Sequence, residues 1–323
     1  MTIGFDTFWF LLGGFIGASF TMILFLNHLE KKQFEGTALG TLVMPYFSGA
    51  PNLIFTIVMA YRNSPGKEIV VNCLVNNMTN LSVLIGLPCI FWGLEIIPKT
   101  KKRKSALKTG RLNRLSLSFT IIAVFVFTGA VWALGRDGEL TFGDGLGLVG
   151  MFFFWQLAGV FDVMRKNIER KRRSGRGMIL DFVGLGISVA VMFYCVDGLV
   201  QWLSRAQFGF ISYKHIGWLS GWLMVLPNAI PAFYYALHKR ADIVYSSQIG
   251  DGHICIPLCI GLFAMFHTIS VPSFFEISVY LILIMAVIHL FAVTILGRLP
   301  RSFAVAFLGM YGIFLYQGII SVS

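Results

Sequence analysis

Charge is scarce in this chain: only 13% of its 323 residues are Asp, Glu, Lys or Arg, against roughly 25% in an average soluble domain. With 56% of residues hydrophobic, no loop between the apolar runs is long enough to hold a soluble domain. Negative charge is scarcer still, with 15 acids against 26 bases and a net charge of +11. Catalytic signatures are missing as well. There is no H-E-x-x-H, no G-x-S-x-G, no Walker A loop and no G-x-G-x-x-G leading from a strand into a helix, so an enzyme is not expected. The five cysteines (Cys73, Cys89, Cys195, Cys255 and Cys259) are odd in number, dispersed and inside apolar runs, which excludes a disulfide framework. Cys255 and Cys259 stand one turn apart near His253, but small-residue packing explains them more simply than a soft-metal site. The remaining histidines are scattered: His28, His215 and His238 near interfaces, His267 and His289 as single residues in or near apolar runs.

What the chain does have is apolar length. A membrane-spanning helix needs about 20 mainly apolar residues, and ten such runs occur: 8–26, 38–60, 68–93, 115–134, 146–164, 178–200, 216–237, 242–266, 274–296 and 302–320. The expected fold is an all-α polytopic membrane protein with ten transmembrane helices. All the bases fall between the runs or at their ends. With the N-terminus outside, twenty-one of the 26 lie in inside loops, chiefly in "KTKKRKSALKTGRLNR" (99–114) and "RKNIERKRRSGR" (165–176). The outside loops hold Arg62, Lys67, Arg136, Arg205 and Lys214. The positive-inside rule then predicts N-out, C-out topology. The basic loops read as topology signals that meet anionic lipids, and no nucleic-acid partner is expected. The first run has neither a preceding basic residue nor a small-residue cleavage site, unlike a secretory signal. The expected location is the plasma membrane, the inner one if the source is bacterial.

The basic loop at 165–177 divides the chain into halves of five runs each, 1–164 and 178–323. Five is odd, so the second half enters the membrane from the opposite side. This is the inverted-topology repeat common among secondary transporters. Residue patterns support the division. "YFSGAPNLIFT" (46–56) and "LMVLPNAIPAF" (223–233) both carry Pro-Asn within an apolar run. A shift of 176 positions relates Pro51 to Pro227. After each pair comes a short loop, then "VNCLVNNMTNLSVLIGL" (71–87) or "SSQIGDGHICIPLCIGL" (246–262). A shift of 175 pairs Asn72 with Ser247, Asn76 with Asp251 and Asn80 with Cys255. Asn72, Asn76 and Asn80 recur every four residues and share one helix face. Amides and carboxylates are costly against lipid, so both stripes are expected to face the bundle interior. Each proline is expected to break its helix and free backbone carbonyls beside the site. Asp251 is the only acid that this alignment puts deep inside a run. Asp162, Asp181, Asp197, Glu95 and Glu276 lie near run ends, where basic loops or interfacial water would satisfy them. A single Asn more often glues helices together. The repeated constellation points to a substrate pathway.

On these residues the chain resembles the cation/calcium exchanger superfamily, which includes sodium/calcium exchangers. That family carries two inverted five-helix α-repeats. Each has a Gly-Thr-Ser-x-Pro-Glu-like motif in its second helix and a Gly-Ser-Asn-x-Phe-Asn-like motif in its third. Here these read "FSGAPNL" and "LVNNMTNLSVLIGL", then "LMVLPNA" and "ADIVYSSQIGDGHICIPLCIGL". The resemblance implies a core of helices 2, 3, 7 and 8, flanked by long, tilted helices 1 and 6 able to slide past it. It puts Asn52 and Asn228 where the family has glutamates. Asn76 and Asp251 fall at the motif serine, and Asn80 and Cys255 at the final Asn or Asp. The serine three residues before each family glutamate is Gly49 in the first half and Val225 in the second.

The expected cation or substrate site is therefore Asp251, Asn52, Asn228, Asn76 and Asn80, with Asn72, Asn77, Ser247, Cys255 and Thr56 around it. Calcium takes six to eight oxygens, carboxylates generally among them. One carboxylate balances one monovalent cation or one proton. The expected function is a secondary active antiporter for Na⁺, H⁺ or both rather than calcium, with no cofactor. Two alternatives share the fold. One carries a polar organic solute in a pocket lined by Tyr46, Phe47, Phe233, Tyr234 and Tyr235. The other is a non-transporting subunit of a membrane complex.

Overall fold

The computed structural model describes residues 5–31, 49–96, 104–167 and 177–320. Lys32, Tyr46, Phe47, residues 97–103 and residues 168–176 lie outside these residues, while 104–114 of the first basic loop form the start of a helix.

Apolar length makes helices almost throughout. They are α1 (Phe5–Lys31), α2 (Ala50–Tyr61), α3 (Lys67–Met78), α4 (Leu84–Trp92), α5 (Lys104–Leu134), α6 (Phe142–Asn167), α7 (Gly177–Arg205), α8 (Ile216–Leu237), α9 (Ala241–Ile254), α10 (Ile260–Ala264), α11 (Phe275–Phe291) and α12 (Arg301–Leu315). Single π-helical turns join α3 to α4 (Thr79–Val83) and α9 to α10 (Cys255–Cys259). Similar turns extend α11 (Ala292–Leu296) and α12 (Tyr316–Ile320).

Each of the ten apolar runs overlaps a helix. Among the described residues, seven helices are long and apolar enough to cross a membrane: Asp6–Phe25, Lys67–Trp92, Arg114–Asp137, Leu180–Arg205, Tyr213–Leu237, Phe275–Leu296 and Arg301–Ile319. The described parts of the second and fifth runs are shorter apolar helices, Ala50–Tyr61 and Phe142–Ala158. The eighth is the helix of α9 and α10. Burial separates centre from rim. In Lys67–Trp92, 78% of the most apolar window is buried, against 22% in Arg301–Ile319, so α3 and α4 are the centre of the molecule. The long helices α1 and α7 lie along each other, α3 packs on α8, and α9 packs on both α5 and α8.

The α3–α8 contact needs small residues. A Cβ at Gly217 would stand 2.6 Å from the Glu68 carbonyl oxygen, and one at Gly221 would stand 2.6 Å from Val75 Cβ. Gly217 and Gly221 form the small-xxx-small spacing that brings two membrane helices close. Ser220 lies between them and keeps its hydroxyl in the contact.

Two expectations change here. Pro227 does not break its helix: α8 runs unbroken through both Pro227 and Pro231. A missing N–H is tolerated where neighbouring helices pack around the freed carbonyl. Pro51 lies in the first turn of α2, where its missing N–H would have had no helical partner. Among the described residues, the third and eighth runs carry irregular backbone at their π turns. One of these contains Pro257, and the extra residue per turn gives its ring room. His289 serves the other, donating from Nε2 to the Leu81 carbonyl oxygen at 3.0 Å and accepting the Tyr245 hydroxyl at Nδ1, 3.2 Å away.

The fold is also not purely helical. Two-residue antiparallel ladders pair Leu94–Glu95 with Arg298–Leu299, Glu139–Leu140 with Ile269–Ser270, and Gln207–Phe208 with Ile211–Ser212. The first two join loops from opposite halves of the chain.

Candidate functional site

The polar stripes of α3 and α9 meet in the interior. Asn76 and Asp251 are fully buried, and Asn80 nearly so. Asn80 Nδ2 donates to Asp251 Oδ2 at 2.7 Å and to Asn76 Oδ1 at 2.7 Å. Asn76 Nδ2 donates to Cys255 Sγ at 3.1 Å. From α8, Asn228 Nδ2 reaches Asp251 Oδ2 at 3.4 Å. Gln248 Nε2 links the Asn228 carbonyl oxygen at 3.4 Å with Ser247 Oγ at 2.9 Å. Five of the expected residues (Asp251, Asn228, Asn76, Asn80 and Cys255) thus share one network, with Ser247 attached through Gln248.

The other four are buried but bonded elsewhere. Asn72 Nδ2 donates to Ser220 Oγ at 2.9 Å. Asn77 Nδ2 turns back to the Cys73 carbonyl oxygen at 2.7 Å. Thr56 Oγ1 donates to the Asn52 carbonyl oxygen at 2.9 Å. The Asn52 amide is buried with neither its oxygen nor its nitrogen in a hydrogen bond, in the first turn of α2, just after Gly49, which lies against Ile254.

Donors and acceptors do not balance. Within the network every amide nitrogen donates at least one hydrogen bond, while oxygens are left over. Among the described side chains, Asn80 Oδ1, Gln248 Oε1 and Asp251 Oδ1 in the network are buried without a partner, as are Asn52 Oδ1 and Asn72 Oδ1 outside it. Among the described side chains the unpartnered buried nitrogen is Asn52 Nδ2, and the Thr128 hydroxyl is also without a partner. Buried polar atoms are costly unless something satisfies them. A surplus of oxygens around one carboxylate suits a cation or a proton, not an anion.

Neighbouring groups have other work. His253 donates from Nε2 to the Thr120 carbonyl oxygen at 2.9 Å, with its ring edge-on to Phe127 and Trp155, so it points away from Asp251. The cysteines are less dispersed than their spacing suggests: the thiols of Cys73, Cys255 and Cys259 lie against one another. All are free, and among the described residues no group of three His, Cys, Asp or Glu side chains is arranged to hold a metal ion. The aromatic pocket does not form from its described members. Tyr234 is exposed and packs on His238, while Phe233 meets Trp92 edge-on. Two of the acids near run ends have partners outside the two long basic loops. Asp181 pairs with His28 at 2.8 Å, and Asp197 with Arg62 at 2.5 Å.

Three polar residues went unrecognised in the sequence. Gln248 stood beside Ser247 without matching an Asn in the first half. Ser220 carried its signal in the small residues of "GWLSG" (217–221). Glu68 lies four residues before Asn72 and so continues its stripe. Its Oε2 accepts the Gly217 N–H at 2.9 Å.

The family model described as sodium/calcium exchanger protein matches residues 6–158 and 180–319. No match was found among curated proteins. Solved structures of the sodium-calcium exchanger NCX_Mj share the fold. The form soaked with 2.5 mM Na⁺ and 10 mM Sr²⁺ superposes with a TM-score of 0.71 at 16% identity, covering 98% of this chain and 99% of that one. The form soaked with zero Na⁺ and Ca²⁺ gives 0.68 at 18% identity, covering 100% of both chains.

Proposed function

The chain belongs to the sodium/calcium exchanger protein family, a family of transporters rather than enzymes, and we propose that it is a secondary active antiporter of a monovalent cation, a proton or both. It is an integral, multi-pass membrane protein. The proposed site is Asp251 with Asn80, Asn76 and Asn228. Asn52 lies at the matching end of α2, and Asn72, Asn77, Ser247, Cys255 and Thr56 surround them. One observation carries the reading: three buried oxygens of the network, Asp251 Oδ1, Asn80 Oδ1 and Gln248 Oε1, are left without partners, and only one of them belongs to a carboxylate. Amide oxygens replace water around a desolvated cation, and a single negative charge balances a single positive one. Calcium with coupled sodium would leave uncompensated charge in a buried site, which is costly. Alternating access would let the cation and a proton compete for Asp251.

The same reading takes the chain as ten spans in two inverted halves, 1–164 and 178–323, joined by the basic segment 165–177, with both termini outside. Support comes from the bonds Asn80–Asp251 and Asn76–Cys255, which the shift of 175 exchanges. It comes also from the π turns at Thr79–Val83 and Cys255–Cys259, nearly the same shift apart. Residues assigned to one side also meet. Lys239 Nζ donates to the Trp92 carbonyl oxygen at 2.7 Å, and Arg298 stands opposite Glu95. Anionic lipids at the basic loops belong to the same proposal.

Thermal stabilisation of the purified protein tests the cargo class. Na⁺, Li⁺ or K⁺ is expected to raise the unfolding temperature, with the effect falling as pH drops. Stabilisation by an anion or a neutral solute, and by no cation, would favour the polar-solute alternative.

A further inference from the structure

Glu68 extends the row Asn72, Asn76 and Asn80 by one step of four, so the row runs from the first turn of α3 to Asp251. Twelve residues at 1.5 Å each make this about 18 Å. The shift that relates the two halves puts Ile243 at the position of Glu68, so only the first half carries an acid there.

The carboxylate lines a cavity of about 170 Å³ with Lys67, Tyr213, Lys214, His215 and Trp218. The charged or titratable groups around it are Lys67 on its own helix and Tyr213, Lys214 and His215 in the turn before α8. Phe274, Gly318 and Ile319 close the cavity from the other elements without charge. Lys67 and Lys214 line the same cavity as the carboxylate, and their two positive charges oppose the entry of a metal cation. A proton has no such barrier, because it crosses by transfer between water and side chains. Inward of Glu68, Asn72 Oδ1 and Asn80 Oδ1 are buried and unpartnered. Each can accept a hydrogen bond from a water molecule.

We infer that Glu68 is the proton-loading carboxylate of this exchanger, admitting protons but not metal cations from one side of the membrane. The inference rests on the reading of Asp251 as the central cation- and proton-binding group. A proton from water converts the Glu68 carboxylate to the acid. It then leaves along water held by Asn72 and Asn80 to the Asp251 carboxylate, and Glu68 returns to its ionised form. Glu68 is half-buried in the first turn of α3, at the end of its span, where a carboxylate can exchange a proton with water. The Gly217 N–H holds Glu68 in place through both states.

The test is proton flux into liposomes containing the purified protein and a trapped pH-sensitive dye, driven by a Na⁺ gradient. Glu68→Gln keeps an oxygen for the Gly217 N–H. It is expected to slow proton-coupled exchange by about tenfold or more and to flatten its pH dependence, while Na⁺-induced thermal stabilisation stays as in wild type. Glu68→Asp is expected to restore flux in part, with a displaced pH profile. A wild-type rate and pH profile for Glu68→Gln would overturn the inference. So would equal slowing in both variants with an unaltered profile, since that is a packing effect. Should Glu68→Gln not fold, Glu68→Asp decides alone: a displaced profile supports the relay and an unchanged one overturns it. Asp251→Asn separates the two levels. If that variant transports normally, the central reading fails. If it is inactive while Glu68→Gln behaves as wild type, only the relay fails.

Discussion

Asn80 Nδ2 donates to Asp251 Oδ2 at 2.7 Å, bridging the third and eighth apolar runs. The residues that the 175-position shift exchanges with this pair, Cys255 and Asn76, are themselves bonded at 3.1 Å. The two bonds are counterparts, but only one holds a carboxylate. On the proposed reading, this difference in charge between the two counterpart bonds gives the site its single cation equivalent.

Asn80→Leu should be the most damaging single amide change. It removes both the 2.7 Å donor to Asp251 and the donor to Asn76. Leaving buried acceptors unpaired costs about 1–3 kcal/mol each. Cation affinity by calorimetry and thermal stability should both fall, whereas Asn80→Asp should lower stability and strengthen divalent binding.

Restoring the family's acids should restore a preference for divalent ions. In Asn52→Glu/Asn228→Glu, one new carboxylate replaces an amide whose two polar atoms have no partners, and the other replaces an amide 3.4 Å from Asp251. Calorimetry should show Ca²⁺ binding at least about tenfold tighter, or about 1.4 kcal/mol. Unchanged Ca²⁺ binding in a folded double variant would mean that the site lies elsewhere.

Ser220→Ala should be mild. It removes the hydroxyl that accepts from Asn72 and donates to the Gly217 carbonyl oxygen. Interhelical hydrogen bonds in membranes average about 0.6 kcal/mol, so the unfolding temperature should drop slightly and ion selectivity should not change. Gly221→Leu should be severe, because its Cβ alone meets Val75 Cβ at 2.6 Å. The expected result is loss of folded protein on size-exclusion chromatography.

Much of this architecture was legible because polar residues in long apolar runs have few places to go. Asn76, Asn80 and Asp251 declared an inward face by cost alone. Local backbone was less legible. Pro227 reads as a break, yet close packing lets α8 continue through it. The π turn at Thr79–Val83 has no proline or glycine to announce it. Gln248 and Glu68 fell outside the mirrored pattern and were passed over, although Glu68 keeps the same four-residue step. Convergence of Cys73 with Cys255 and Cys259 depended on how α3 meets the second π turn, which spacing along one chain does not encode.

The most direct test is Asp251→Asn in proteoliposomes under imposed Na⁺ and pH gradients. Asparagine keeps an oxygen for Asn80 and Asn228, so the protein should fold with little change in unfolding temperature. Removing the only carboxylate of the network should reduce exchange to the level of protein-free vesicles. Exchange by Asp251→Asn at the wild-type rate under the same gradients would contradict the account.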